Sequence, residues 1–166
     1  MCSTPHLYED EIKLRFITAF AEFFQKKDVV LETCHMLMEE LADTSAHDSK
    51  IEQLLMELND ISQRIREHIQ KNASEVQNQE EYSIQYSNLE KQYQRKTKAI
   101  NQEKQLLIEQ KNHIEIMSSF IKTLENTEET LTRFDDDIWR ATVEKVTVFH
   151  DGRMIFQFVD GTEVEC

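Results

Sequence analysis

The chain has 166 residues, of which only two are glycine and one is proline, and it carries a net charge of −13. Average domains contain about 7% glycine and 5% proline. Too few turns can therefore form for a many-stranded sandwich, a barrel or a glycine-loop nucleotide fold, and long, exposed helices are expected. The acidity also argues against a protein that coats nucleic acid or an anionic membrane with its whole surface.

The first forty residues carry a strongly apolar helical face. Three carboxylates at 9–11 mark a helix start. Apolar residues then recur at intervals of three and four: Ile12, Phe16, Phe20 and Phe23 or Phe24. Asp28 precedes a second apolar stretch that reaches Leu41, as a separate helix or as the continuation of one bent helix. The phenylalanine face must pack against another part of the protein, since burial stabilises each phenylalanine by about 1.5–3 kcal/mol.

A polar break at 43–48 leads into a helix with a heptad seam. The seam residues are Ile51, Leu54, Leu58, Ile61 and Ile65. The additional apolar residues Leu55 and Ile69 are expected to widen this seam. Apolar residues become scarce at 72–79, which predicts a chain reversal.

The fourth predicted helix is the longest and covers about residues 80–126. Its a positions follow a strict seven-residue series: Tyr86, Tyr93, Ile100, Leu107, Ile114 and Ile121. Its d positions are Leu89, Lys96, Glu103, Gln110, Met117 and Leu124. The polar d positions in the middle are expected to lower stability and to fix register or partner number. Together with the preceding helix, this pattern predicts an antiparallel helical hairpin.

The C-terminal residues predict a change to β-structure. Asp135, Asp136 and Asp137 can cap a short helix. Two runs of alternating apolar residues follow, and the pairs Asp151-Gly152 and Asp160-Gly161 end them. Asp-Gly between such runs is a strong hairpin signal, so a sheet of two strands, or three with 162–164, is expected.

The predicted fold is mainly α: a long antiparallel coiled-coil hairpin on a small helical base, with a short C-terminal antiparallel β-hairpin. The predicted domains are the base helices at 1–45, the coiled-coil arm at 46–126, and the short helix with the β-hairpin at 127–166.

Few residues point to catalysis or to metal binding. The six histidines are isolated in sequence, and the cysteines at 2, 34 and 166 form no paired motif. This odd, scattered set of cysteines fits a reducing, cytoplasmic location. No apolar run is long enough for a membrane span. We therefore expect no catalytic residues, cofactor, bound metal, membrane contact or small-molecule substrate.

A short basic run contrasts with the overall acidity. It contains Lys91, Arg95, Lys96 and Lys98, with no acidic residue between 91 and 98. A solvated helix face is the usual meaning of such a run, and weak DNA contact is the alternative.

The two ends of the chain resemble one protein family. The tail, residues 134–164, begins Phe-Asp-Asp-Asp-Ile-Trp-Arg-Ala-Thr-Val-Glu-Lys-Val-Thr-Val and contains both Asp-Gly turns. It is similar to the C-terminal end of large serine recombinases, the site-specific DNA recombinases of phages and mobile elements. The head, Cys-Ser-Thr-Pro-His-Leu-Tyr-Glu-Asp-Glu-Ile at 2–12, resembles the exit from their zinc ribbon. The resemblance implies a coiled-coil arm between the two.

The chain departs from this family in important ways. Nothing in it matches the family's catalytic domain, with its serine nucleophile, or its recombinase domain. By resemblance, the predicted domain at 1–45 combines a zinc-ribbon remnant with the base helices and is the residual part of the family's DNA-binding region. Cys2 is then the last zinc ligand, but one cysteine cannot form a site that needs four ligands. The resemblance therefore implies a non-catalytic C-terminal piece of a recombinase, from a truncated or split gene.

Two functions are compatible with the sequence. The first is arm contact during DNA recombination, with the chain itself or with a full-length recombinase. In the family, such contacts hold synaptic complexes together and determine whether recombination proceeds as integration or as excision. The residues expected to make this contact are Ile69, Val76, Tyr82, Ile84 and Tyr86. The second is a coiled-coil adaptor or oligomerisation module unrelated to DNA.

Overall fold

A computed structural model describes residues 8–166 of the chain, so Cys2 lies outside the described residues. The described elements are α1 (Glu9–Phe24), α2 (Lys27–Ala42), α3 (Ser45–Ser74), α4 (Gln79–Asn126), α5 (Asp136–Thr142), β1 (Val143–Val148), β2 (Met154–Phe158) and β3 (Glu163–Glu165). The predicted mainly-α fold with a short C-terminal antiparallel sheet is confirmed. Two helices, rather than one bent helix, precede α3.

The described chain divides into two compact units. One contains the residues up to Ala42 together with Asn112–Cys166, and the other is Asp43–Lys111. Helix α4 contributes its first part to the second unit and its last turns to the first. We call the first unit the base and the second unit the hairpin.

The core of the base is aromatic. Phe16, Phe20 and Phe23 on α1 are fully buried, as the helical spacing predicted. The Phe23 ring stacks on Phe158 of β2, with centroids 4.0 Å apart, and lies 6.1 Å from Phe120 of α4. The apolar face of α1 is therefore covered from two directions, by the sheet and by the end of α4.

The sheet closes the chain on this core. Its strands run antiparallel in the order β1-β2-β3, and the alternate residues Met154, Phe156 and Phe158 are buried. Gly152 and Gly161 have positive φ angles of 88° and 87°, which explains why glycine is placed at both turns. The Asp135 side chain caps α5 by accepting hydrogen bonds from two backbone N–H groups, as predicted.

One arginine ties the ends of the sheet to α1. Arg15 donates hydrogen bonds to the backbone carbonyls of Gly152, at 2.6 Å, and Cys166, at 3.2 Å. It also pairs with Glu11 one helical turn earlier. This contact joins a loop and the C-terminal residue to a helix more than 130 residues away in sequence.

Candidate functional site

The hairpin is an antiparallel pair of helices joined by a short turn. Helix α3 ends at Ser74 and α4 begins at Gln79, within the reversal predicted at 72–79. Contacts between the helices follow the antiparallel order. His68 near the end of α3 stacks on Tyr82 near the start of α4, and Gln110, later in α4, donates a hydrogen bond to the backbone carbonyl of Asp43, just before α3. Leu54, Ile61, Leu89 and Ile100 are the buried apolar residues of the seam.

Two of the polar d positions of α4, Lys96 and Glu103, have complementary partners on α3. Lys96 pairs with Glu57. Glu103 pairs with Lys50 and with the His47 ring, each at 2.9 Å. Because each pair requires one alignment of the two helices, these residues fix the antiparallel register.

Glu103 is the most enclosed of these groups. Its side chain is only 12% exposed. Hydrogen bonds from Lys50 first and from His47 second hold the pKa of its carboxyl below the ordinary value of 4.5. The charged form is therefore favoured inside the seam.

This lowered pKa predicts a loss of stability in acid. A carboxyl with a depressed folded-state pKa stabilises the fold above its ordinary pKa, and this contribution is lost as pH falls through the folded value. We expect Glu103→Gln to reduce the acid dependence of thermal unfolding, measured by circular dichroism from neutral pH to about pH 3. Glu109→Gln, an exposed change on the same helix, serves as the control. If Glu103→Gln lost stability in acid to the same extent as the wild type, the stabilising role of the Glu103 carboxylate would be contradicted.

The turn end of the hairpin contains the residues predicted for arm contact. Val76 is fully exposed, and Ile84 is 57% exposed. Tyr82 and Tyr86 are half-buried, because Tyr82 stacks on His68 at 4.5 Å and the two tyrosine rings lie 6.1 Å apart. Val76 and Ile84, which we call the tip surface, thus remain in solvent, whereas the tyrosines also pack within the hairpin.

Ile69 and Leu55 do not widen the seam as the sequence suggested. Their side chains remain 45% and 46% exposed. Each follows a seam position by one residue, so it lies beside the helix contact and not within it. A seven-residue series, Leu55, Ser62 and Ile69, could have signalled this separate strip.

The four basic residues proposed for DNA contact do not have the same surroundings. Lys91, Arg95 and Lys98 are exposed. Lys96 is half-buried and paired with Glu57. Three cations therefore remain on the outer surface of α4, and the fourth contributes to the seam.

The described part of the chain shows no arrangement typical of metal binding. Among residues 8–166, no group of three or more histidine, cysteine, aspartate or glutamate side chains could hold a metal ion. Burial, and secondarily Asp160, raises the pKa of the Cys34 thiol to about 11, which keeps it protonated and weakly nucleophilic. Burial likewise raises the pKa of Cys166. Within the same range, no helix is both long enough and apolar enough to span a bilayer.

Comparison of the chain with family models, with curated proteins and with solved structures gives no match.

Proposed function

We propose that this chain acts as a non-catalytic C-terminal part of a site-specific DNA recombinase, in which the hairpin contacts another arm. The observation that carries the proposal is the exposed tip surface. Val76 lies fully in solvent at the turn, and Ile84 is largely exposed on the first turns of α4. The resemblance of the head and tail to large serine recombinases supplies the biological setting.

The exposure of these two side chains supports a contact role. The hairpin seam already buries Leu54, Ile61 and Leu89, so its own pairing does not require apolar residues at the turn. Contact with a second apolar surface would remove both side chains from water, at about 25 cal/mol for each Å² of apolar area. A partner arm would therefore gain affinity from residues that the isolated hairpin leaves unused.

The tip surface can be tested with the double variant V76E/I84E. Two carboxylates placed in an apolar contact should weaken it at least tenfold, which corresponds to about 1.4 kcal/mol. Analytical ultracentrifugation over a concentration series should then show loss of the largest associated species formed by the wild type. Met56→Glu is the matched control, since Met56 is an exposed apolar residue of α3 away from the turn. A sedimentation profile unchanged from that of the wild type would contradict the proposal.

A second candidate is a coiled-coil adaptor unrelated to DNA. The pairing of Lys96 with Glu57 favours it, because this pairing removes one cation from the basic run of an acidic chain. DNA binding that weakens as salt rises would support the recombinase function. Arm association without any DNA binding at low salt would support the adaptor.

We place the protein in the cytoplasm as part of this proposal. Cys34 and Cys166 are free thiols in the described chain, and free thiols are typical of reducing compartments.

A further inference from the structure

The two sides of the hairpin differ in chemistry. On one side, α3 presents charged residues at every seventh position: Lys50, Glu57, Arg64 and Lys71. On the other side, the corresponding series is Leu55, Ser62 and Ile69. In a heptad these two series flank the seam on opposite sides. One flank is therefore suited to water, and the other is suited to another protein surface.

The second side contains a groove between the two helices. The groove is lined by Ser62, Ile65, Arg66, Tyr86, Glu90 and Tyr93. We call these residues, together with Leu55 and Ile69, the apolar flank. Tyr93 occupies an a position of the heptad but is 38% exposed, so the seam leaves part of its ring uncovered.

We propose that a second copy of this chain docks on the apolar flank through its own apolar flank, to form a two-fold dimer with four helices in contact. The charges of the groove favour this partner. Arg66 and Glu90 are both exposed on it, and neither makes an ion pair within residues 8–166. A two-fold contact brings the same patch onto itself, so Arg66 of each copy can pair with Glu90 of the other.

The charge of the whole chain further limits where two copies can meet. With a net charge of −13, two copies repel each other over most of their surfaces. The apolar flank carries one cation and one carboxylate among apolar and neutral polar side chains, so this repulsion is locally absent. Self-association is therefore least opposed at this flank.

The length of the flank sets the expected strength. The fifteen residues from Leu55 to Ile69 are separated by fourteen helical steps and span about 21 Å. An interface of this length is at the small end of specific protein contacts. The dimer is weak and forms as concentration rises. The apolar flank is separate from the tip surface, so the flank dimer does not depend on the proposed function.

The test compares L55K/I69K with Met56→Lys by sedimentation equilibrium of the full chain. Lysines on the apolar flank should raise the dimer dissociation constant at least tenfold. Met56, next to Leu55 in sequence, is 62% exposed on the outer face of α3, so its substitution should leave dimerisation unchanged. Circular dichroism checks that both variants keep the helical content of the wild type. A monomeric wild type at the highest concentration, or equal weakening by Met56→Lys, would overturn the proposal.

A charge exchange tests the pairing of Arg66 with Glu90 across the two-fold. R66E and E90R should each dimerise less than the wild type, whereas an equimolar mixture of the two should recover association. Absence of recovery in the mixture would overturn the two-fold pairing.

V76E/I84E separates this proposal from the tip contact, since it should keep the flank dimer and lose only larger species. If L55K/I69K weakens the flank dimer and V76E/I84E has no effect, the result contradicts the tip contact and supports the flank dimer.

Discussion

Replacing Phe23 with alanine is expected to lower the free energy of unfolding by about 3–5 kcal/mol. The Phe23 side chain is fully buried, stacked on Phe158 and close to Phe120. Its removal leaves a cavity where α1, α4 and β2 meet. Since domains are commonly stable by only about 5–15 kcal/mol, this loss is a large part of the total. Urea unfolding followed by circular dichroism measures it.

Leu14→Ala is the control for this experiment. Leu14 lies on the same helix but is 66% exposed, so its truncation should change stability by about 0.5 kcal/mol or less. Similar effects of Phe23→Ala and Leu14→Ala would contradict the aromatic core of the base.

A second large change, in both thermal stability and oligomerisation, is expected from the triple variant K96L/E103L/Q110L. Leucine at these positions adds apolar area to the seam, which stabilises the hairpin by about 25 cal/mol for each Å² buried. The former partners Glu57 and Lys50, with side chains 37% and 62% exposed, can be solvated by water instead. We therefore expect the variant to unfold at a higher temperature. It should also form oligomers at concentrations at which the wild type is monomeric, because a continuous apolar seam accepts other helices and other registers. Thermal unfolding and sedimentation velocity measure the two effects.

The charge exchange E57K/K96E provides the matched control. It preserves an ion pair at the same position and should therefore keep both the stability and the association behaviour of the wild type. A triple variant that associates no more strongly than the wild type at the same concentration would show that the polar d positions do not determine pairing.

The sequence was most informative where structure follows a local period. The seven-residue series from Tyr86 to Ile121 predicted α4, and the scarcity of apolar residues at 72–79 located the turn. The polar d positions are also visible in the sequence as exceptions to an apolar seam. Their partners, such as Glu57 for Lys96, could not be predicted, because pairing depends on the register that the turn sets.

Long-range contacts in the base were less predictable. The spacing of Phe16, Phe20 and Phe23 showed that α1 must be covered, and the structure supplies Phe120 and Phe158 as neighbours of Phe23. No local pattern connects α1 to positions so distant in sequence.

Whether an apolar residue of α3 lies in the seam or beside it was also hard to predict. Leu55 is apolar and adjacent to Leu54, yet one residue of helix rotates a side chain by about 100°, which leaves Leu55 46% exposed. That rotation separates a core residue from a residue available to a partner. The proposed contacts of the apolar flank depend on this difference.

Zero-length carbodiimide cross-linking tests the central claim, that one chain folds back on itself into an antiparallel hairpin. The reagent joins a carboxylate directly to an amine, and the Lys50 amine lies 2.9 Å from the Glu103 carboxylate. Mass spectrometry of the monomer band should therefore find Lys50 linked to Glu103 and Lys96 linked to Glu57. If these links were found only in the covalent dimer band, they would join two chains, and the hairpin within one chain would be contradicted.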